Sequence, residues 1–491
     1  MLSEMSNSPF DHLRYPKRSQ VLWLAWWRAL QGLRPACHRT ATFLWLAVVL
    51  AAFCLRPDLA AVTSLVRSLG LTDPCYYCLL HFFHSPALPL AALTAAWLQT
   101  VRHLLGRRLV RLNGRPVVLV DGLKRPKEGR KMPAVKSLYQ ESQCNAKAPF
   151  IMGHYCQVVA LLVQGAGACL GVPVAARIHD GLVGSNRDRR SVLTKLAQLL
   201  LALAWGEPVT VVADAYYAAG NFARRLRGRR HHLVTRVTSK SVGFFPPPRP
   251  RPGRRGRPRR YGRKTRLKHW FRLQRRFQSA LSPLYDDRQV TLRFLSRDLL
   301  WRPLAQVVRF VWVVHPTRGR WILLCTDLAL SPLDILRLYG WRFKIEAGFW
   351  QAIHSLGAYA YHFWMASMTP LHRGQGSQHL HRKPAGYRRQ VRRKFAAYER
   401  HIQIGLIAQG LLQYLALSFR HAVWANFSSY IRTARRSVPP SEWVVAHALR
   451  RTWPDFLRFS PAASILKKFL APKIDPQRAG FHDMSELDLA A

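Results

Sequence analysis

The chain has 491 residues, room for roughly two to four domains, and 49% of them are hydrophobic, which excludes a disordered polypeptide. Lys and Arg number 76 against 24 Asp and Glu, a formal charge of +52. Self-repulsion of that size favours no fold. It calls for a polyanionic partner, with nucleic acid the first choice and an anionic membrane surface the second.

Residues 1–113 read as a helical, candidate DNA-binding region. Its opening is polar, basic and Trp-rich, so no signal peptide is expected, and eight dispersed cysteines fit a reduced cytosol. The apolar runs Phe43 to Leu55 and Pro86 to Leu98 are short for membrane spans and read as buried helices, with a membrane hairpin as the alternative. Cys75-x-x-Cys78-x-x-His81-x-x-His84 offers zinc ligand types, but three-residue spacing is ordinary for a packed aromatic helix.

From Pro116 the pattern changes. "VVLVDG" reads as a buried strand ending in an acid, and residues 114–239 continue with strand-like segments from Gly153, Gly171, Pro208 and His231. Helical patterns lie before Pro208 and after Asp214, so the order argues for a mixed α/β sheet. Residues 240–325 form a basic, β-rich insertion with a core strand, in which residues 246–277 carry 14 Lys or Arg. Ser331 and Pro332 then read as the N-cap and first position of one helix running to Gly357, within a region spanning 326–369. Residues 370–395 read as a second basic loop and the rest, to 491, as helical with a loose acidic end.

Acids are scarce, so their places are informative. Asp121 and Asp214 each end an apolar strand, and Glu346 lies on the helix after the last strand. Strand ends in one sheet lie side by side, and such a trio of oxygen donors suits hard divalent cations. The competing reading is that both aspartates are turn residues, since Asp121-Gly122 is a common turn pair. Tyr339, Arg342 and Glu346 share a helical face, which is either a phosphate-and-metal surface or a solvated ion pair. In the insertion, Arg254, Arg255, Arg257, Arg259 and Arg260 can lie on phosphate or in a minor groove. Trp270 can stack on a base or anchor the insertion.

The spacing Tyr339-x-x-Arg342-x-x-x-Glu346 resembles the signature of DDE insertion-sequence transposases of the YREK type. "VVLVDG" and "VTVVADAYY" sit where that family carries its two aspartates, and the likeness runs from about Arg115 to Gly357. The resemblance implies an RNase H-like core interrupted by a β-rich insertion. It implies Asp121, Asp214 and Glu346 as catalytic ligands of two Mg2+ or Mn2+ ions, with Tyr339 and Arg342 supporting phosphate. It also implies cleavage of double-stranded transposon ends, strand transfer into target DNA, a homodimeric synaptic complex and a bacterial, nucleoid-associated protein with no membrane role. The family's lysine would fall at Ile353, which carries no charge; Lys344, His354 or the insertion would have to replace it. A binding-only protein, or a related nuclease without strand transfer, remains the alternative.

Overall fold

The computed structural model describes residues 20–140, 148–248, 257, 259–285, 287–432 and 435–478. The chain opens with helices α1 (Val21–Gln31), α2 (Thr40–Leu55), α3 (Ala61–Ser68), α4 (Pro74–His84) and α5 (Leu90–Leu105). Helix α2 is apolar on every side and is buried from Leu46 to Leu55, as a helix without a polar face must be. The tryptophans of α1 turn inwards, and Trp23 donates its indole N–H to the Leu449 carbonyl at 3.0 Å. Among the described residues, no single helix is long and apolar enough to cross a membrane.

The sheet follows from β1 (Arg115–Pro126), β2 (Lys136–Tyr139), β3 (Phe150–Gly165) and β4 (Ala168–Ile178). After helix α6 (Val192–Ala202) come β5 (Thr210–Ala213), helix α7 (Gly220–Arg227) and β6 (His232–Val237). Ser191 caps α6 by accepting from the Thr194 amide at 3.2 Å. In the core the strands lie in the order β4-β3-β1-β5-β6. β3 is antiparallel to both neighbours, while β5 and β6 run parallel to β1. This is the mixed sheet expected from the strand and helix order, with the RNase H-like core that the resemblance implies.

The insertion contributes β7 (Val242–Phe244), β8 (Lys264–Arg266), β9 (Gln278–Leu281), β10 (Thr291–Trp301), β11 (Gln306–His315) and β12 (Gly319–Cys325). It extends the core rather than forming a separate body, because β12 pairs antiparallel with β6 and β10–β11–β12 continue the same sheet.

Two helices, α8 (Pro332–Trp341) and α9 (Phe343–His354), follow where the sequence predicts one. Ser331 caps α8 by accepting from the Asp334 amide at 3.1 Å, and Pro332 opens it, as expected. The break falls at Arg342, where Arg342 N–H bonds to Tyr339 O and Ile345 N–H to Arg342 O, three-residue steps that tighten the turn. Helix α10 (Ala385–Ser418) then runs through the molecule, with every residue from Arg400 to Gln413 buried. It begins ten residues earlier than the end of the predicted basic loop, so Arg388 to Phe395 are helical. Gly410 lets the Trp97 ring lie directly on α10, while the Trp97 indole donates to Pro173 O at 2.8 Å on β4. The remaining helices are α11 (Arg420–Asn426), α12 (Glu442–Phe459) and α13 (Ser464–Leu470).

Candidate active site

β1 and β5 are neighbours in parallel register, with Leu119 opposite Val212. Asp121 and Asp214 each lie two residues further on, at the same level of the sheet. β1 does not end at Asp121, as the sequence suggests. Its buried run ends at Val120, but pairing continues with Asp121 opposite Val158 and Gly122 opposite Gln157. Asp121-Gly122 is therefore not a turn. Glycine is needed at 122 because the Tyr155 ring crosses its face, and any side chain there would collide with the phenol. Asp214 follows the last residue of β5 and folds its carboxylate onto the Tyr216 amide at 3.0 Å.

The two aspartates line one cavity of about 190 Å3, together with Lys124, Tyr155, Asp180 and Tyr217. Behind it a polar relay is fixed: His179 bonds Gln157 at 2.6 Å and Gln157 donates to the Tyr217 hydroxyl at 3.2 Å. Asp180, Tyr155 and Tyr217 escaped the sequence reading. Only Asp180 carried a signal, another Asp-Gly pair after an apolar strand, and it is held by Lys136 at 3.0 Å.

Arg342 connects the third acid. From the helix break its guanidinium donates to Asp121 Oδ2 at 3.1 Å and to Glu346 Oε1 at 2.7 Å. Tyr339 is half-buried, with the Arg342 guanidinium 5.8 Å from its ring centre. Burial pushes the Asp121 carboxyl up to about 7; Arg342 opposes this, and the charges of Asp214 and Glu346 add to it. Burial also raises the Tyr339 phenol. The Glu346 side chain is 53% exposed, so this third carboxylate faces solvent. Ile353 packs against the core and His354 is exposed.

Of the insertion residues, Arg254 and Arg255 lie outside the described residues. Arg257, Arg259 and Arg260 are exposed. Trp270 corrects an expectation. Its indole is buried, stacks on Trp312 with ring centres 5.0 Å apart and donates to Thr265 at 2.9 Å, so it offers no face to a base.

Residues 32–293 match the family model described as DDE superfamily endonuclease. The chain belongs to the DDE superfamily endonuclease family. No curated protein matches it. Among solved structures, this DDE superfamily endonuclease is similar to the cryo-EM structure of the piggyBac transposase synaptic complex with hairpin DNA. Identity is 10%, the TM-score is 0.32, and the match covers 92% of this chain and 84% of that one. DDE superfamily endonucleases use divalent metal ions. The donor chemistry here fits them: three carboxylates, two sharing a cavity and two held by one cation. That cation is the Arg342 guanidinium, and among the described residues no three His, Cys, Asp or Glu side chains are grouped to hold an ion. A metal at Asp121 thus requires Arg342 to let go of it.

Proposed function

We propose that this endonuclease is a DNA transposase that cuts the ends of its element and joins them to target DNA. The observation that carries this reading is the convergence of Asp121 and Asp214 from adjacent strands on one cavity, with Arg342 linking Asp121 to Glu346. In this reading Asp121, Asp214 and Glu346 hold two Mg2+ ions. When bound, these ions supply the charge stabilisation that hydrolysis and transfer of a phosphodiester need.

The chain's own groups do the rest. Arg342, once released from Asp121, can fork onto a phosphate, and Tyr339 packs beside its guanidinium to hold that direction. The Tyr155–Tyr217–Gln157 wall fixes the back of the cavity. Exposed Arg257, Arg259 and Arg260 track the DNA backbone. The protein acts on double-stranded DNA as a homodimer, in the bacterial nucleoid.

The test is cleavage of a linear DNA carrying the element's own end, in Mg2+. Asp121→Asn, Asp214→Asn and Glu346→Gln should each lower cleavage on the order of a thousandfold or more, a loss of several kcal/mol of charge stabilisation. Binding of the same DNA should survive. Cleavage persisting in one variant removes that residue from the site. Tight binding without cleavage by the wild type supports a binding-only protein, and cleavage without joined products supports a nuclease.

A further inference from the structure

Two sequence features have no part in that chemistry: the Cys/His helix α4 and the basic start of α10. They meet around a separate cavity of about 590 Å3, lined by Leu80, His81, His84, Trp364, Arg393 and Lys394. We propose that this cavity takes one unpaired nucleotide of a DNA strand, its base against Trp364 and its phosphate on Arg393 and Lys394.

Three observations support the assignment. Trp364 is 64% exposed, a large aromatic face with no ring partner among the described residues. Such a face stacks on any nucleobase. Arg393 and Lys394 stand beside it, and among the described residues neither has a carboxylate within ion-pair distance, so their charge is open to a phosphate. His84 adds an acceptor. Its Nδ1 lies 2.7 Å from Leu80 O, so that nitrogen carries the proton, and the buried Nε2 has no partner among the described residues. Burial, with Lys394, Arg393 and Arg400 nearby, pushes His84 down to about 4, so it stays a neutral acceptor for an exocyclic amino group.

The cavity's position favours a strand over a free nucleotide. Arg389, Arg392 and Arg393 are exposed along the first turns of α10, a row of cations leading to the pocket. Trp364 lies against Gly129, where a Cβ would be 2.8 Å from the indole nitrogen. Gly129 is eight residues beyond Asp121, at most about 29 Å of extended chain, so a strand leaving the candidate active site reaches the pocket within several nucleotides.

The inference rests on the transposase reading, and its test separates the two. The probe is a hairpin duplex with a short single-stranded tail bearing 2-aminopurine, titrated with the full chain in Ca2+. Wild type should quench the 2-aminopurine emission on binding. Trp364→Ala should lose the quench and bind the tail about tenfold more weakly, while Trp364→Phe keeps most of both. Arg393→Ala with Lys394→Ala should flatten the slope of log K against log salt by about 0.7, the single-strand value for one phosphate. Trp364→Ala matching wild type in quench and affinity overturns the pocket. Displacement of the probe by free dAMP at equal molar ratio overturns the assignment to a strand. Cleavage and joining of the element's own end in Mg2+ report the transposase reading alone. A wild type that never cleaves yet quenches through Trp364 ends that reading and leaves the pocket standing.

Discussion

Arg342 holds two acids whose proposed work is to hold metal ions instead. Its contacts with Asp121 and Glu346 compete with any metal for the same oxygens. Arg342→Ala should therefore bind Mn2+ more tightly in the absence of DNA, seen by calorimetric titration, and still cleave more slowly. Unchanged Mn2+ affinity would show that the guanidinium does not compete. A second buried cation makes a pH prediction. Lys127 is enclosed, donating to Tyr359 O at 2.6 Å and Tyr361 O at 3.1 Å, and burial lowers it to about 7. A free lysine titrates near ~10.4, so between about 7 and 10 the unfolded chain binds more protons than the folded one. Stability owed to this group thus rises with pH through that window. Lys127→Met should be stabilising relative to wild type at pH 7, with that advantage shrinking by about 2 kcal/mol by pH 9 in urea melts. A constant difference would mean that Lys127 keeps its proton in the folded protein across that window. Scarcity made the acids legible in the sequence: 24 in 491 residues leaves few to explain. Lys127 was not legible, since nothing local distinguishes a lysine bound for two carbonyls from one bound for solvent.

Elements were readable where hydrophobic period and capping agreed, as in β5, α6 and the Ser331-Pro332 start of α8. They were misread where tertiary contact overrode local preference. Asp121-Gly122 has turn chemistry, yet pairing with β3 and the crossing Tyr155 ring keep it in the strand. The break at Arg342 has no proline to announce it. Trp270 lay in a run of arginines and looked like a DNA contact, but an insertion that extends a sheet needs its own core. The Trp270–Trp312 stack supplies that core. Trp270→Ala should cost about 3–5 kcal/mol, as for other buried large aromatics. Because β12 is hydrogen-bonded to β6, thermal melting of the whole catalytic sheet should move with it. Protease cuts between 240 and 285 without any change in melting would mean the insertion unfolds alone.

Across the whole molecule, distant stretches are interdependent. The α1–α5 helices close around α10 and α12, and the last described residues pair with the turn between α3 and α4, where Thr72 N–H bonds Lys473 O at 2.8 Å and Asp475 N–H bonds Gly70 O at 2.7 Å. Removing residues 442–478 should leave the α1 tryptophans uncovered, so the truncated chain should be recovered from the pellet. Recovery of soluble, cooperatively melting protein would mean α1–α5 and the sheet suffice. None of this long-range closure could be read locally, since Trp23 and Leu449 are paired only by the completed fold.

That closure also has a consequence in time. At roughly 5–20 residues per second, the first helix waits on the order of half a minute for the carbonyl that receives its Trp23 indole. Until then the Trp-rich face of α1 stands open beside the ribosome's RNA. On the truncation prediction above, such a nascent chain should become soluble only once α12 is made, and a stop before α12 should yield a product prone to degradation.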